Sequence, residues 1–161
     1  MDGDRRVLLV HFDFTNDELP TGLWACPGGG IDRGESPAQG LIRELEEELG
    51  LVIDDPGTPV WWKEHVFPMT SWDGQHDTFF FIEVDAFEPR PQFTEAELIA
   101  EHLDGMRWWG YDEIMSAQRL YDEDRRDDPG YVTFSPRRLG HLLQDLLQHG
   151  RPSEPLKLDP L

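Results

Sequence analysis

The sequence predicts a single α/β (α+β) domain, and three observations carry that expectation. At 161 residues the chain has room for one sizeable core and little room for a second. Segments rich in β-branched, aliphatic and aromatic residues recur along it at strand length. Two further segments carry helix start and stop signals at the expected separation. No internal repeat and no interdomain linker interrupts the pattern, so the expectation is one domain over 1–161. Its core spans about 5–150, and the proline-rich stretch 151–161 is an extended tail.

Val7 to Phe14 reads as the first strand, ending in the polar turn Thr15 to Pro20. Trp24 to Cys26 reads as a short strand running into Pro27 and Gly28-Gly29-Gly30. Ser36 followed by Pro37 is a cap-then-proline helix start, and Gly50 suits a left-handed C-cap, which places a helix over 37–49. Pro59 to Phe67 and His76 to Phe87 read as an antiparallel strand pair around the turn Ser71 to Gly74. Thr94 to His102 reads as a loop or short helical turn, Met106 to Gly110 as a strand, and Tyr111 to Gln118 as a short helix. Leu120 to Tyr131 reads as a charged surface loop. Ser135 and Pro136 repeat the cap-then-proline signal and open a helix to about His149, whose Leu139, Leu142, Leu143, Leu146 and Leu147 follow helical spacing.

Apolar residues make up 38% and charged residues 29%, a globular balance. The net charge of −19 repels phosphate polymers, so no nucleic-acid polymer is expected as partner. It also suits collection of divalent cations, although most of it is accounted for by a solvated acidic surface. The single cysteine, Cys26, excludes an intrachain disulfide and a cysteine zinc cluster. Met1 to Arg6 has no signal-peptide core, and no apolar run approaches the roughly 18–20 residues that span a bilayer. The expectation is a cytoplasmic protein with no membrane partner.

The 37–49 helix carries the chemistry. At about 100° per residue, Ala38, Leu41, Ile42, Leu45 and Leu49 form one apolar stripe. Glu44, Glu47 and Glu48, at i, i+3 and i+4, cluster on a different face and repel one another. Arg43 offsets part of that repulsion on a merely solvated face. Hard divalent cations are the other answer, since Mg²⁺ and Mn²⁺ favour carboxylate, carbonyl and water oxygens and bridge them to substrate phosphates. A glycine turn just before the helix brings backbone groups close to such ions.

The run Gly29, five residues, Glu35, seven residues, Arg43-Glu44-Leu45, one residue, Glu47-Glu48, one residue, Gly50-Leu51 resembles the Nudix box at every defined position. At this chain's own composition those seven fixed identities coincide on the order of 10⁻⁷ per start position. The resemblance implies an α/β/α sandwich with a mixed central sheet, the box forming its loop-helix-loop. It implies a metal-dependent pyrophosphohydrolase that cleaves a nucleoside diphosphate linked to another moiety by water attack on phosphorus. Mg²⁺ (or Mn²⁺) is the implied cofactor, with Glu44, Glu47, Glu48, the Gly28 carbonyl and, through water, Glu35 as its implied ligands. Arg43 would hold the carboxylates, Glu35 would pair with it or reach the metal through that water, and Glu44 or a downstream glutamate would orient or deprotonate the attacking water. Glu97 is the first choice for that glutamate, with Glu95 and Glu101 as alternatives and a solvated loop residue as the bland reading of each. The implied partner is a small-molecule nucleotide pyrophosphate: a nucleoside triphosphate (oxidised ones included), ADP-ribose or a dinucleoside polyphosphate.

Gly28, Gly29 and Gly30 are expected at the substrate phosphates. Among Trp61, Trp62, Trp72, Trp108 and Trp109, strand alternation sends one ring of each adjacent pair inward. Trp62 and Trp109 are assigned to the base, against the competing reading that any one of these rings is simply packing. His65 and His76 read more readily as satisfied, non-catalytic histidines than as phosphate contacts or bases, and Cys26 as packing. Pro68 lies near where ADP-ribose-hydrolysing relatives carry a proline. The strand that many relatives place before Val7 to Phe14 has only six residues in which to form here, which leaves homodimer assembly open. A non-catalytic nucleotide-sensing module on the same fold is the main alternative function. Isoprenoid-diphosphate isomerisation fits less well, because Cys26 sits directly before the glycine loop.

Overall fold

The computed structural model describes residues 1–16, 19–65, 74–92 and 102–159. Strands β1 (Arg6–Phe12), β2 (Leu23–Ala25), β5 (Leu103–Gly110) and β6 (Phe134–Ser135) form one sheet in the order β5-β1-β2-β6. β1 is antiparallel to β2 and β5, whereas β6 joins β2 in parallel. A second sheet has the order β4-β3-β7, from β3 (Pro59–His65), β4 (Gln75–Phe80) and β7 (Leu156–Lys157). There β3 and β4 are antiparallel and β7 is parallel to β3. Helices α1 (Pro37–Leu49), α2 (Tyr111–Asp122) and α3 (Leu139–His149) complete an α+β fold with mixed sheets, as the sequence predicts.

Alternation along β1 sets the layering. Successive side chains leave a strand on opposite faces. Leu8 packs with Leu45 and Leu49 of α1, while Leu9 packs with Ile114 of α2 and Leu139 and Leu143 of α3. The first sheet thus lies between α1 and the α2–α3 pair. Val60 and Trp61 bring the second sheet into the Leu9 cluster. A bulge in β3 between Pro59 and Trp61 buries both Val60 and Trp61 and leaves Trp62 half-buried.

The β3–β4 pair forms as expected, but β4 ends at Phe80 rather than Phe87. The chain beyond it serves α1 instead. The Arg90 N–H donates to the Leu49 carbonyl at 2.9 Å and the Gln92 N–H to the Glu47 carbonyl at 2.8 Å. These bonds satisfy carbonyls that a helix C-terminus otherwise leaves unpaired. α2 runs four residues past its expected end at Gln118, into the segment expected to be loop. Buried Gln118 accepts from the Gly140 N–H at 3.1 Å and donates to Asp122 at 3.0 Å, which ties the last turn to α3.

The cap-then-proline signal at Ser135-Pro136 is overturned. Ser135 ends β6 opposite Ala25, and its carbonyl accepts from the Cys26 N–H at 3.3 Å. A residue before proline favours extended backbone, and the ladder to β2 uses that preference. α3 therefore begins at Leu139, after a Pro136 joined by a cis peptide. The tail contributes β7 on the edge of β3.

Gly50 closes α1 in the left-handed region at φ 66°, and its N–H donates back to Glu46 at 2.9 Å. An added Cβ would meet the Arg90 carbonyl oxygen at 2.8 Å. Gly50→Ala is therefore expected to lower stability by about 1–2 kcal/mol, the cost of left-handed backbone for an L-residue. Urea denaturation measures this as a lower midpoint at unchanged slope.

Candidate active site

The box helix is fixed locally at its entry. The Ser36 hydroxyl accepts from the Gln39 N–H at 3.3 Å, and the Gln39 side chain accepts from the Ser36 N–H at 2.9 Å, with Pro37 at the first helical position. This reciprocal capping box satisfies two backbone donors. Burial of Leu45 and Leu49 then sets the rotation of α1, which aims the glutamate arc at the loop preceding the helix.

Arg43 organises that loop. Its five N–H groups make five hydrogen bonds: to both Glu35 oxygens (3.1 Å each), to Glu44 (2.8 Å), to Glu47 (3.2 Å) and to the Gly30 carbonyl (2.8 Å). A planar guanidinium can serve this set because its donors are held in a fixed fork. Hydrogen bonds to Glu35 and then Glu44 raise the Arg43 pKa further above its ordinary value. The same contact holds the Glu35 carboxyl below its ordinary value, helped by the Asp32 N–H. The expected pairing of Glu35 with Arg43 is thus present.

Glu48 takes a different partner. Only 4% exposed, it accepts the Gly28 N–H at 2.9 Å, twenty residues back in sequence. Glu44 lies beneath the next residue, since a Cβ placed on Gly29 would sit 2.6 Å from its carboxyl carbon. The glycine loop is thereby folded onto two of the three glutamates, and the third shares the Arg43 fork with Glu44. The structure gathers Gly28, Gly29, Gly30, Glu35, Arg43, Glu44, Glu47 and Glu48 into one constellation.

The donor chemistry fits a hard divalent cation: carboxylate oxygens beside a backbone turn, with no thiolate or imidazole among the box residues. Among the described residues no three His, Cys, Asp or Glu side chains stand at ligating spacing. Arg43 occupies the space between Glu44 and Glu47.

The aromatic assignments fare differently. Trp109 is corrected to a core residue: it is 5% exposed, packs edge-on against Trp24 and Phe134, and carries the Arg107 guanidinium 3.6 Å over its ring. Trp62, the outward member of its pair as expected, already stacks on His76 at 5.3 Å and carries the Lys157 ammonium at 4.7 Å. Alternation sends one ring of each pair inward but identifies neither which one nor which tail residue covers the other. Trp108 donates its indole N–H to the Phe87 carbonyl at 3.0 Å. Glu95, Glu97, Glu101, Pro68 and Trp72 lie outside the described residues.

Sequence reasoning missed two positioning contacts, Gly28 N–H to Glu48 and Gln92 N–H to the Glu47 carbonyl. Both use backbone donors, which leave no mark in side-chain identity. Cys26 is half-buried as a residue, yet packing around its sulfur pushes the thiol up from 9.0 to about 11. Thiolate, the reactive form, is therefore scarce at neutral pH. Alkylation of Cys26 by iodoacetamide is expected to stay slow until the pH approaches 11, measured by mass shift against the denatured chain. Because the folded value is raised, this thiol's contribution to stability is full below about 9 and lost as pH rises towards 11.

Comparison with known proteins identifies the family. A family model described as the NUDIX domain matches residues 1–129. An RNA pyrophosphohydrolase from Vibrio cholerae is 33% identical over 99 residues, covering 55% of this chain and 56% of that protein. One from Nitratiruptor is 31% identical over 93 residues, covering 47% and 57%. The chain thus spans little more than half the length of the curated relatives it matches. Among solved structures, the Escherichia coli ORF135 protein aligns with TM-score 0.55 at 23% identity, covering 95% of this chain and 89% of that one. The NUDIX domain of Shewanella oneidensis NrtR, complexed with ADP ribose, aligns with TM-score 0.55 at 19% identity, covering 88% and 77%. At these identities the two structures speak for the fold alone.

Proposed function

The chain belongs to the Nudix hydrolase family, and from that membership we propose that it is a divalent-metal-dependent pyrophosphohydrolase acting on a nucleotide. The observation that carries the reading is the fold of the glycine loop onto the box helix. Glu48 is held at Gly28, Glu44 lies under Gly29, and Arg43 joins Glu35, Glu44 and Glu47. An intact acidic constellation with a built support favours catalysis over a nucleotide-sensing module.

Glu44, Glu47, Glu48 and the Gly28 carbonyl would hold Mg²⁺ or Mn²⁺, with Glu35 reaching it through water. A bound ion would supply charge neutralisation of the pyrophosphate and a more acidic water. Arg43 fixes the carboxylates so that their geometry does not have to be reorganised during reaction. The Gly28 N–H is taken by Glu48, so the N–H groups of Gly29 and Gly30 are the ones that would meet phosphate oxygens. A glutamate takes the proton of the attacking water: Glu97 is our first choice, with Glu44, Glu95 and Glu101 as the other candidates. The pyrophosphate P–O bond breaks as the water oxygen bonds to phosphorus, giving two phosphate-bearing products.

The substrate belongs to the small nucleotide pyrophosphates: nucleoside triphosphates, ADP-ribose or dinucleoside polyphosphates. The curated relatives are named for RNA, so an RNA with a 5′ polyphosphate belongs in the same test, although a net charge of −19 disfavours a long polyanion. No described helix is long and apolar enough to cross a membrane. The test is a substrate panel with products resolved by chromatography, with Mg²⁺, Mn²⁺ or a chelator. Metal-dependent cleavage of a small nucleotide is the expected result. Saturable nucleotide binding without turnover would move the assignment to the sensing module.

A further inference from the structure

Lys63 links the two sheets near the point where the chain turns into the glycine loop. Its ammonium lies 3.2 Å from the Asp77 carboxylate, across the β3–β4 pair, and 3.5 Å from the Ser135 hydroxyl oxygen on β6. Ser135 pairs with Ala25, and its carbonyl holds the Cys26 N–H. Phe134 turns into the α2–α3 core, so alternation puts the Ser135 hydroxyl on the opposite face of the first sheet, the face of α1. Gly28 follows Cys26 by two residues, at most about 7 Å along the chain. The cation thus stands near the glycine loop, on the side of the box helix.

The polar groups around it suit an anion. Lysine has three N–H donors, and Asp77 and Ser135 account for two of them. The Ser135 oxygen faces the ammonium, which leaves the hydroxyl proton to donate elsewhere. Asp77 is also held at its other oxygen by the Gln75 amide at 2.8 Å, so it keeps a partner if the ammonium turns away. The Lys63 and Asp77 side chains are 21% and 26% exposed. Water reaches such a pair, and a dissolved anion can compete with the carboxylate.

A phosphate chain arriving at the box cannot call on Arg43, whose five N–H groups are all committed within the protein. At a net charge of −19 the surrounding field repels such a chain, so a local cation decides how long a chain is accepted. A pyrophosphate diester ends its charge at the two phosphates that the box would hold. A triphosphate or longer polyphosphate carries a further anionic group. We propose that Lys63 and Ser135 form a phosphate subsite that selects substrates with at least one phosphate beyond the scissile pair. Nucleoside triphosphates and dinucleoside polyphosphates are then preferred to ADP-ribose. The identity of the anion rests on the hydrolase reading, whereas the donor pair does not.

The test uses the full chain and two probes that resist hydrolysis, imidodiphosphate and di-imidotriphosphate, titrated by calorimetry with Mg²⁺ present. The triphosphate analogue is expected to bind about tenfold more tightly or better, the scale of one charge-assisted hydrogen bond. Lys63→Gln should remove most of that preference, and Lys63→Arg should restore part of it. Asp77→Asn should act in the opposite sense and tighten the triphosphate analogue severalfold, because the ammonium loses its competing carboxylate. A merely structural ion pair would give both substitutions the same sign or no effect, and either result would overturn the subsite. Asp77→Asn decides the question alone if Lys63→Gln loses cooperative melting. In turnover, Lys63→Gln should lower kcat/KM about tenfold more for ATP than for ADP-ribose, mostly through KM. An equal loss on both substrates would also overturn the subsite. Preference for the triphosphate analogue without turnover of any nucleotide would retire the hydrolase reading and leave the subsite standing.

Discussion

Replacing Glu48 by glutamine is expected to lower turnover about 10²–10³-fold, the scale at which loss of one preorganised electrostatic group acts. The substitution is isosteric, and the glutamine oxygen can still accept the Gly28 N–H that Glu48 holds at 2.9 Å. What disappears is a negative charge at a 4% exposed position beside the glycine loop. Stability should change by less than about 1 kcal/mol, because the lost carboxylate also repelled its neighbours on the helix. Mn²⁺ binding, read by the free-ion electron-resonance signal, should weaken together with turnover. Wild-type turnover at saturating Mg²⁺ would remove Glu48 from the metal set.

Gly29→Ala should have the next largest effect without altering any charged residue. Its Cβ would lie 2.6 Å from the Glu44 carboxyl carbon and 2.7 Å from both oxygens. The carboxylate must therefore move by roughly an ångström, a displacement that can cost about a hundredfold in rate. Gly29 is exposed, so the melting temperature should barely change. Combining Gly29→Ala with Glu44→Asp, which withdraws the carboxylate by one methylene, separates displacement from general damage. Partial recovery in the double variant supports the steric account. A Gly29→Ala enzyme of full activity would show that Glu44 does not need this position.

These two outcomes depend on different kinds of information. The existence of α1, its ends and its active face follow from local rules. Ser36 can cap a helix, Pro37 can start one, Gly50 can leave one left-handed, and a 3.6-residue period separates Leu45 and Leu49 from the glutamates. None of that needs a distant residue. The same local signal at Ser135-Pro136 was insufficient, because the ladder to β2 competed for that backbone and won. Trp109 shows a similar limit. Alternation predicts that one ring of each pair turns inward, but only the packed sheet determines that Trp109 meets Trp24 and Phe134.

By itself, then, the sequence determined the box: the spacing of its glutamates, the arginine that binds three of them, and the helix that carries that arginine. These depend on backbone periodicity and on residue chemistry within a few turns. Only the tertiary structure decided what the box rests on. The Gly28 N–H reaches Glu48 across twenty residues, the Gln92 N–H reaches the Glu47 carbonyl, and the apolar back of the helix packs on Leu8 of β1. Such contacts are made by backbone groups that every residue carries and by packing among many side chains at once. Their partners are therefore fixed by where the whole chain places them, and no short stretch of sequence specifies them.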